Sequence, residues 1–220
     1  MKNLSHTEEN YLKAIYQLAE QGQQPVATNV LATALHTSPA AVTDMIQRLH
    51  HKGLVAYQKY QGVNISASGK AQAIQVLRKH RLWEVFLVEK LKFAWDEVEE
   101  VAEQLEHIQS GLLIQRLDDF LGNPAYGPHG ESIPDTQGRT RSKVQVVLSQ
   151  LAEGSSGIVM AVKEDTPLFL QYLGKRGIYL GAKISVIEKI AFDQSMDISI
   201  DGHPKVNLSL QASNNIFMTP

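Results

Sequence analysis

Residues 38–54 read SPAAVTDMIQRLHHKGL, and this stretch decides the fold of the N-terminal third of the chain. Ser38 suits the N-cap of a helix, and Pro39 suits the first helical position, where its missing N–H costs nothing. Apolar residues then recur at helical spacing until Gly53, a suitable C-cap. The side chains expected to face inward are Val42, Met45, Ile46 and Leu49.

The segments around this helix complete a small domain. Ser5 and Glu8 have the spacing of a capping box, which predicts the start of a first helix. The further elements expected are helices over residues 5–20 and 27–35 and strands over 54–57 and 63–66. Three helices followed by a hairpin within about 60 residues are typical of a winged helix-turn-helix.

Such a module reads DNA with the N-terminal part of its second motif helix, which lies in the major groove. The residues expected there are Ser38, Pro39, Ala40, Thr43, Asp44, Gln47 and Arg48. Lys52, Lys59 and Tyr60 are expected to contact phosphates. Basic residues are sparse, so a winged helix used for protein contacts stays an alternative. The same sparseness predicts weak binding per subunit, and hence a dimer on DNA.

Composition narrows the class of protein. A chain of 220 residues accommodates one large domain or two to three small ones. There is no cysteine, which excludes disulfides and thiolate ligands. No run approaches the roughly 18 apolar residues of a membrane span, and the N-terminus lacks a signal-peptide core. We therefore expect a cytoplasmic protein without membrane partners. The net charge of −2 gives no indication of nucleic-acid binding.

The remaining residues predict two further domains, which gives an α+β multidomain protein. Helical patterns are expected over residues 68–92, 95–109 and 111–121. After residue 144 the pattern changes to β-like runs over 157–162, 183–190, 196–200 and 206–210. The predicted domains are a winged helix-turn-helix over 1–72, a helical domain over 73–141 and a small β-barrel-like domain over 142–220. Residues 122–141 are rich in proline and glycine and are expected to form an extended linker.

Residues of the types that commonly bind metal ions are concentrated in the middle of the chain. Glu99, Glu103, Glu106 and His107 fall on the helix predicted over 95–109, and His80 and Glu84 precede them. Spacings of three and four put such residues on neighbouring turns of one face. Oxygen and imidazole ligands without thiolate suit Mn²⁺, Fe²⁺ or Zn²⁺. The alternative is a solvated acidic face, because an apolar stripe lies on another side of the same helix.

Taken together, a DNA-reading module and a carboxylate-imidazole cluster indicate a regulator whose DNA affinity depends on a divalent metal. A metallohydrolase is the competing enzyme class, but the patterns HExxH and paired ExxH are absent from the sequence. We therefore expect no enzyme and no small-molecule substrate. A winged-helix regulator that binds DNA without metal is a third alternative.

The chain also resembles the diphtheria toxin repressor family of metal-dependent transcriptional repressors, including its manganese-responsive members. The resemblance covers about residues 3–135, and the final segment looks like the SH3-like domain of many members. The matching stretches are TEENYLKAIY (7–16), SPAAVTDMIQRLHHKGL (38–54), HRLWEVFL (80–87), EQLEH (103–107), LGNP (121–124) and PHG (128–130).

The resemblance implies particular metal ligands. Glu103, Glu106 and His107 match the primary ligands, and a Glu at position 103 is typical of the manganese type. His80 matches a further ligand, and Asn10 stands where other members have Met or Asp. Glu84 and His129 match an ancillary site, together with Glu99 in place of a His and with Glu164 or Asp165 from the last domain. Gly127 replaces a Cys of that pattern.

The resemblance also implies a function. It predicts a homodimeric repressor of metal-homeostasis genes that binds a palindromic operator in double-stranded DNA when loaded with Mn²⁺ or, alternatively, Fe²⁺. Zn²⁺ and Co²⁺ are expected to bind in vitro, in keeping with the general order of affinities. Metal would bridge the first helix to the dimerisation helices, and relief of repulsion among the carboxylates would supply the free energy.

Overall fold

The computed structural model describes residues 4–58, 61–95, 97–135, 137–140, 146–164 and 166–219. These residues form two compact units. The first comprises residues up to His80 together with 103–111 and 134–139, and the second comprises the rest. Among the described residues, no helix is both long and apolar enough to cross a membrane.

The first unit contains the predicted winged helix-turn-helix. Its elements are α1 (His6–Glu20), α2 (Thr28–Ala34), α3 (Pro39–His51), β1 (Val55–Gln58) and β2 (Gly62–Ile65). Ser5 and Glu8 form the expected capping box, and Ser38 caps α3 by accepting from the backbone N–H of Ala41. The strands β1 and β2 pair antiparallel, from Val55 opposite Ile65 to Gln58 opposite Gly62.

One hydrophobic core holds these elements together. Leu12, Ile15, Leu31, Ile46 and Leu49 are fully buried in it. Ile74 and Leu77 of α4 (Ala67–Glu89) join the same core. The amphipathic stripes of the sequence thus fix which faces of α1 and α3 point inward.

Helix α5 (Val98–Leu105) is shorter than the helix predicted over residues 95–109. Glu106 and His107 lie in the turn that follows it. The predicted C-terminal end was therefore wrong. Helical spacing is weak evidence for where a helix ends, and here the contacts that both side chains make with α1 determine their positions instead. Helix α6 (Gly111–Phe120) then follows as expected.

The segment over 122–140 is irregular, as expected, but its described part is packed rather than extended through solvent. Pro128, His129, Ile133 and Pro134 are buried. Arg78 fixes the backbone there by donating to the carbonyl oxygen of Pro134 at 2.6 Å.

The second unit ends in a six-stranded antiparallel sheet. Its spatial order is β3 (Val146–Val147), β8 (Ile216–Thr219), β4 (Ser156–Val162), β5 (Lys183–Lys189), β6 (Met196–Ile200) and β7 (Val206–Leu208). Helices α7 (Pro167–Lys175) and α8 (Leu210–Ser213) interrupt the strands. A separate core including Leu148, Leu173, Ile184 and Ile198 lies under this sheet. The β-like runs of the sequence predicted most of it but not the short strands β3 and β8.

Candidate metal centre

Polar side chains of α1 meet the turn after α5 inside the first unit. Glu9, Asn10 and Lys13 lie on α1, where the capping box at Ser5 sets the start of the helix and hence the direction of each side chain. Glu106 and His107 approach them from the turn. Glu9, Lys13, Glu106 and His107 are each at least nine-tenths buried, which is rare for charged side chains unless they are paired.

Three ligand-type atoms converge at the centre of this contact. With its NH₂ group turned inward, the amide nitrogen of Asn10 lies 3.0 Å from His107 Nε2 and 3.3 Å from both Glu106 Oε1 and the carbonyl oxygen of His6. His107 Nε2 lies 3.8 Å from Glu106 Oε1. Three acceptors surround this position, so the amide that fits them without an ion presents its NH₂ group, whose two hydrogens are shared among them. With a cation bound, the amide would turn its oxygen Oδ1 to the same position instead.

The spacing of these atoms suits one divalent ion. Two ligands at right angles on an ion with bonds of about 2.1 Å lie about 3 Å apart. One carboxylate, one amide oxygen and one imidazole are a donor set that accepts Mn²⁺, Fe²⁺ or Zn²⁺. We call Asn10, Glu106 and His107 the first cluster.

His107 is oriented by a carboxylate on its far side. Its Nδ1 lies 2.6 Å from Glu9 Oε2, and a carboxylate in this place accepts from Nδ1–H and orients the ring so that Nε2 faces Glu106 and Asn10. Gln109 donates to the other oxygen of Glu9 at 3.0 Å. The ring of His6 stacks on that of His107 with centroids 4.3 Å apart.

Glu106 is fully buried and stays ionised. Burial alone would raise the pKa of its carboxyl, but the contact with His80 and the charge of Lys13 outweigh burial and lower it. Lys13 Nζ donates to Glu106 Oε2 at 2.8 Å, and His80 Nδ1 lies 2.7 Å from the same oxygen. Glu106 Oε1 is therefore the oxygen that faces Asn10 and His107.

Glu103 is placed differently from the other expected primary ligands. Its side chain is 51 % exposed, and its Oε1 lies 3.7 Å from Lys13 Nζ. The structure thus brings Asn10, Glu106 and His107 together, places His80 against Glu106, and leaves Glu103 at the edge beside Lys13.

A second group of buried and half-buried polar side chains lies within the second unit. His129 Nδ1 is 3.2 Å from Glu84 Oε1. Burial lowers the pKa of His129, but the hydrogen bond and charge of Glu84 and the charge of Glu131 offset this and raise it to about 9. Burial and the charge of Glu84 raise the pKa of Glu131. We call Glu84, His129 and Glu131 the second cluster.

Gly127 leaves the space that the Glu131 carboxylate uses. A Cβ atom at Gly127 would lie 3.3 Å from Glu131 Oε2 and 3.7 Å from Glu84 Oε2. A tight turn begins at Gly127, whose N–H donates to the carbonyl of Glu131 at 2.8 Å. This turn directs Glu131 towards Glu84. Among the described residues, the buried Oε2 of Glu131 has no hydrogen-bond partner.

The other expected ancillary ligands have varied positions. A ligand oxygen of Glu99 lies within 4.8 Å of one of Glu84, although Glu99 is exposed. Glu164 accepts a hydrogen bond from Thr166 at 2.8 Å. Asp165 lies outside the described residues.

The expected DNA-reading residues lie on one side of α3. Ser38, Pro39, Ala40, Asp44, Gln47 and Arg48 are exposed, and Thr43 is half-buried with its hydroxyl donating to the carbonyl of Pro39. Arg48 pairs with Asp44 at 2.7 Å. Lys52 makes an ion pair with Glu8 at 2.6 Å, so its ammonium also fastens α1 to the end of α3. Lys59 and Tyr60 lie outside the described residues.

Sequence reasoning missed Glu9, Lys13 and Glu131. In the sequence, Glu9 and Lys13 look like ordinary polar positions of an amphipathic helix. The signal that could have identified them is that they lie about one helical turn apart, on either side of Asn10. Glu131 directly follows Pro-His-Gly, and an acidic residue next to a candidate ligand is a usable signal.

Comparison with known proteins bears on this arrangement. The family model described as "Iron dependent repressor, N-terminal DNA binding domain" matches residues 3–63. "Iron dependent repressor, metal binding and dimerisation domain" matches residues 66–135, and "FeoA domain" matches residues 146–220. The iron-dependent repressor IdeR of Mycobacterium leprae is 32 % identical over 221 residues, which cover 94 % of each chain. The chain belongs to the diphtheria toxin repressor family.

Further members of this family are similar over most of their length. The diphtheria toxin repressor of Corynebacterium glutamicum is 28 % identical over 199 residues, covering 86 % of this chain and 87 % of that one. A solved "Manganese-dependent transcriptional repressor complex with manganese" is 32 % identical with a TM-score of 0.75, covering 96 % of this chain and 98 % of its own. The chain is thus a metal-dependent, DNA-binding transcriptional repressor with a dimerisation domain and an SH3-like domain, and it is a regulator rather than an enzyme.

Proposed function

We propose that this repressor responds to Mn²⁺, with Fe²⁺ as the alternative, and that the first cluster holds the ion. The convergence of the Asn10 amide, Glu106 Oε1 and His107 Nε2 at 3.0 to 3.8 Å is the observation that carries the proposal. A ligand set of oxygen atoms with one imidazole favours these two metals among those common in cells. The manganese complex named above, which is similar over nearly the whole chain, supports the same choice.

The first cluster would couple metal to DNA through α1. Asn10 lies on α1, whose inner face packs into the same core as α3, the DNA-reading helix. A bound divalent ion supplies a positive charge that tethers Asn10 to Glu106 and His107. Glu9 holds the imidazole of His107 in the orientation that this requires. Fixing α1 favours one orientation of α3, and a state so favoured has higher affinity for its DNA site.

We further propose that the protein acts as a homodimer on a palindromic operator. Leu112, Leu113 and Phe120 of α6 are exposed apolar side chains, and the Phe120 ring lies 6.3 Å from that of Phe86. An exposed apolar face of this kind suits a second copy of the chain. Leu117 is buried, so a charge at that position would disturb folding rather than the interface alone. Phe120→Glu changes an exposed residue, and we expect this variant to be monomeric when its mass is measured by light scattering.

The second cluster is proposed as a second metal site, with Glu84, His129 and Glu131 as ligands and Glu99 beside them. The buried carboxylate of Glu84 and the half-buried carboxylate of Glu131 lie next to one imidazole, and one oxygen of Glu131 has no partner among the described residues; both observations support this role. That Glu164 or Asp165 supplies a further ligand to this second metal site stays a prediction.

The test is a fluorescence anisotropy titration of the purified protein on its own promoter DNA at fixed salt. Chelator, Mn²⁺, anaerobic Fe²⁺ and Zn²⁺ are compared, and binding is expected only with metal, with Mn²⁺ effective at the lowest free concentration. His107→Ala should remove the metal response, whereas the exposed Glu100→Ala on α5 is the matched control and should keep it. Equal binding in chelator would instead identify a metal-independent winged-helix repressor.

A further inference from the structure

Lys13 is a buried cation inside a group of metal-type ligands. Its side chain is 9 % exposed, and its ammonium contacts Glu106 Oε2 at 2.8 Å and Glu103 Oε1 at 3.7 Å. Burying an ammonium is costly unless the charge is paired, so these carboxylates are what keep it there. A positive charge therefore lies directly beside the first cluster, against Glu106, before any metal binds.

The two oxygens of Glu106 face two different cationic positions. Oε1 faces Asn10 and His107, which is the position proposed for the divalent ion. Oε2 accepts from Lys13 and lies 2.7 Å from His80 Nδ1. A carboxylate used in this way has the arrangement of a bridge between two metal ions, as in sites where two ions lie about 3.5 to 4 Å apart.

The position of the Lys13 ammonium is one that could itself suit a metal. It lies between carboxylate oxygens of Glu106 and Glu103, and the imidazole of His80 shares the same Glu106 oxygen. Two carboxylates and an imidazole are ligands of the same kind as those at the first position. Its occupation by an ammonium repels a second divalent cation and partly neutralises Glu106.

We propose that Lys13 is a built-in cation that fills the second cation position, so that this cluster binds a single divalent ion with moderated affinity. The inference rests on the proposed metal site at Asn10, Glu106 and His107. Lys13 is thereby a residue that determines the metal stoichiometry and the metal concentration at which the repressor responds.

The experiment compares Mn²⁺ binding to the full-length protein and two variants by isothermal titration calorimetry and electron paramagnetic resonance. Lys13→Glu removes the ammonium and adds a ligand, so it should bind one more Mn²⁺ per subunit than the wild type and show a spin-coupled pair. Lys13→Met removes the charge alone, so it should keep the wild-type stoichiometry and bind Mn²⁺ about tenfold more tightly. Because each variant is compared with the wild type, ions at the second cluster cancel.

Lys70→Glu is the matched control, since Lys70 pairs with Glu20 at 3.6 Å on the exposed surface, and neither change is expected there. A spin-coupled pair already present in the wild type, or a Lys13→Glu protein with unchanged stoichiometry, would overturn the inference. If Lys13→Glu does not fold, Lys13→Met decides, and unchanged Mn²⁺ affinity counts against the idea. Failure of the proposed function looks different, because the wild type and His107→Ala would then bind Mn²⁺ equally.

Discussion

The two clusters use similar ligands but balance their charges in different ways. In the first cluster, Glu106 is paired with Lys13 and contacts His80, and the pKa of its carboxyl is lowered. In the second cluster, Glu84 and Glu131 lie close together, and the pKa of Glu131 is raised by burial and by Glu84. The imidazole of His129 compensates by holding a proton, with a pKa of about 9.

This difference predicts different responses to metal. A cluster with its own cation is stable without metal, so an added ion has to compete with the existing ion pairs. A cluster with two carboxylates and one imidazole keeps repulsion between its carboxylates without metal, so a cation there relieves that repulsion. The expectation that metal acts by relieving carboxylate repulsion therefore suits the second cluster better than the first.

The largest effect is expected from Glu106→Ala. The substitution leaves the buried Lys13 ammonium without its nearest partner, so the free energy of unfolding without metal should fall by about 3 kcal/mol. Glu103→Ala is the control from the same helix region and should cost at most about 0.5 kcal/mol, because Glu103 is half exposed. Urea denaturation in chelator measures both. Equal losses in the two variants would show that Glu106 is not held as an internal ion pair.

Asn10→Asp should make the first cluster more like the second. It adds a negative charge at the atom that faces Glu106 and His107, so Mn²⁺ should bind about tenfold more tightly, equivalent to about 1.4 kcal/mol. Asn10→Ala removes the ligand oxygen and should weaken binding by a similar factor. Competition with a chromophoric chelator gives both constants. Unchanged affinity in Asn10→Ala would mean that the amide is only a hydrogen-bond donor.

The sequence predicts the first unit better than it predicts the clusters. Ser5, Ser38 and Pro39 fix helix starts through local rules, and the apolar stripes fix the buried faces, so the winged helix follows from short-range information. The ligand geometry depends on contacts between residues about 100 positions apart, such as Glu9 with His107. Local pattern carries no information about such pairs.

The same reason explains the end of α5 and the role of Glu131. Helical spacing continues past Leu105, but Glu106 and His107 bond to α1, and these tertiary contacts determine where they lie. The carboxylate of Glu131 lies close to the bare Cα of Gly127, and neither residue alone indicates that relation. The family resemblance pointed to Glu84 and His129 but not to Glu131.

Glu131→Gln should relieve the repulsion in the second cluster. A carboxyl whose pKa is raised on folding destabilises the protein where it is ionised, that is, as pH rises through the raised pKa. At pH 8 the metal-free variant should therefore be more stable than the wild type by about 1 kcal/mol, and the difference should shrink towards pH 5. Thermal unfolding in chelator measures this, with the exposed Glu188→Gln as control. A less stable variant would mean that Glu131 is favourably paired.

Gly127→Ala should give the smallest effect and tests how closely the second cluster is fitted. The added methyl group would lie 3.3 Å from Glu131 Oε2, tighter than ordinary contact, so the carboxylate has to move by a few tenths of an ångström. We expect Mn²⁺-induced stabilisation to fall by about 0.5 kcal/mol, while metal-free stability changes by less, since the turn at Gly127 needs no left-handed backbone. Gly111→Ala places its methyl group in open space and is the control. One outcome would contradict the assignment of Glu131, namely that Gly127→Ala reduces metal-induced stabilisation and Glu131→Gln does not. In that case the methyl group acts on Glu84, whose Oε2 lies 3.7 Å away, and Glu131 is not a ligand.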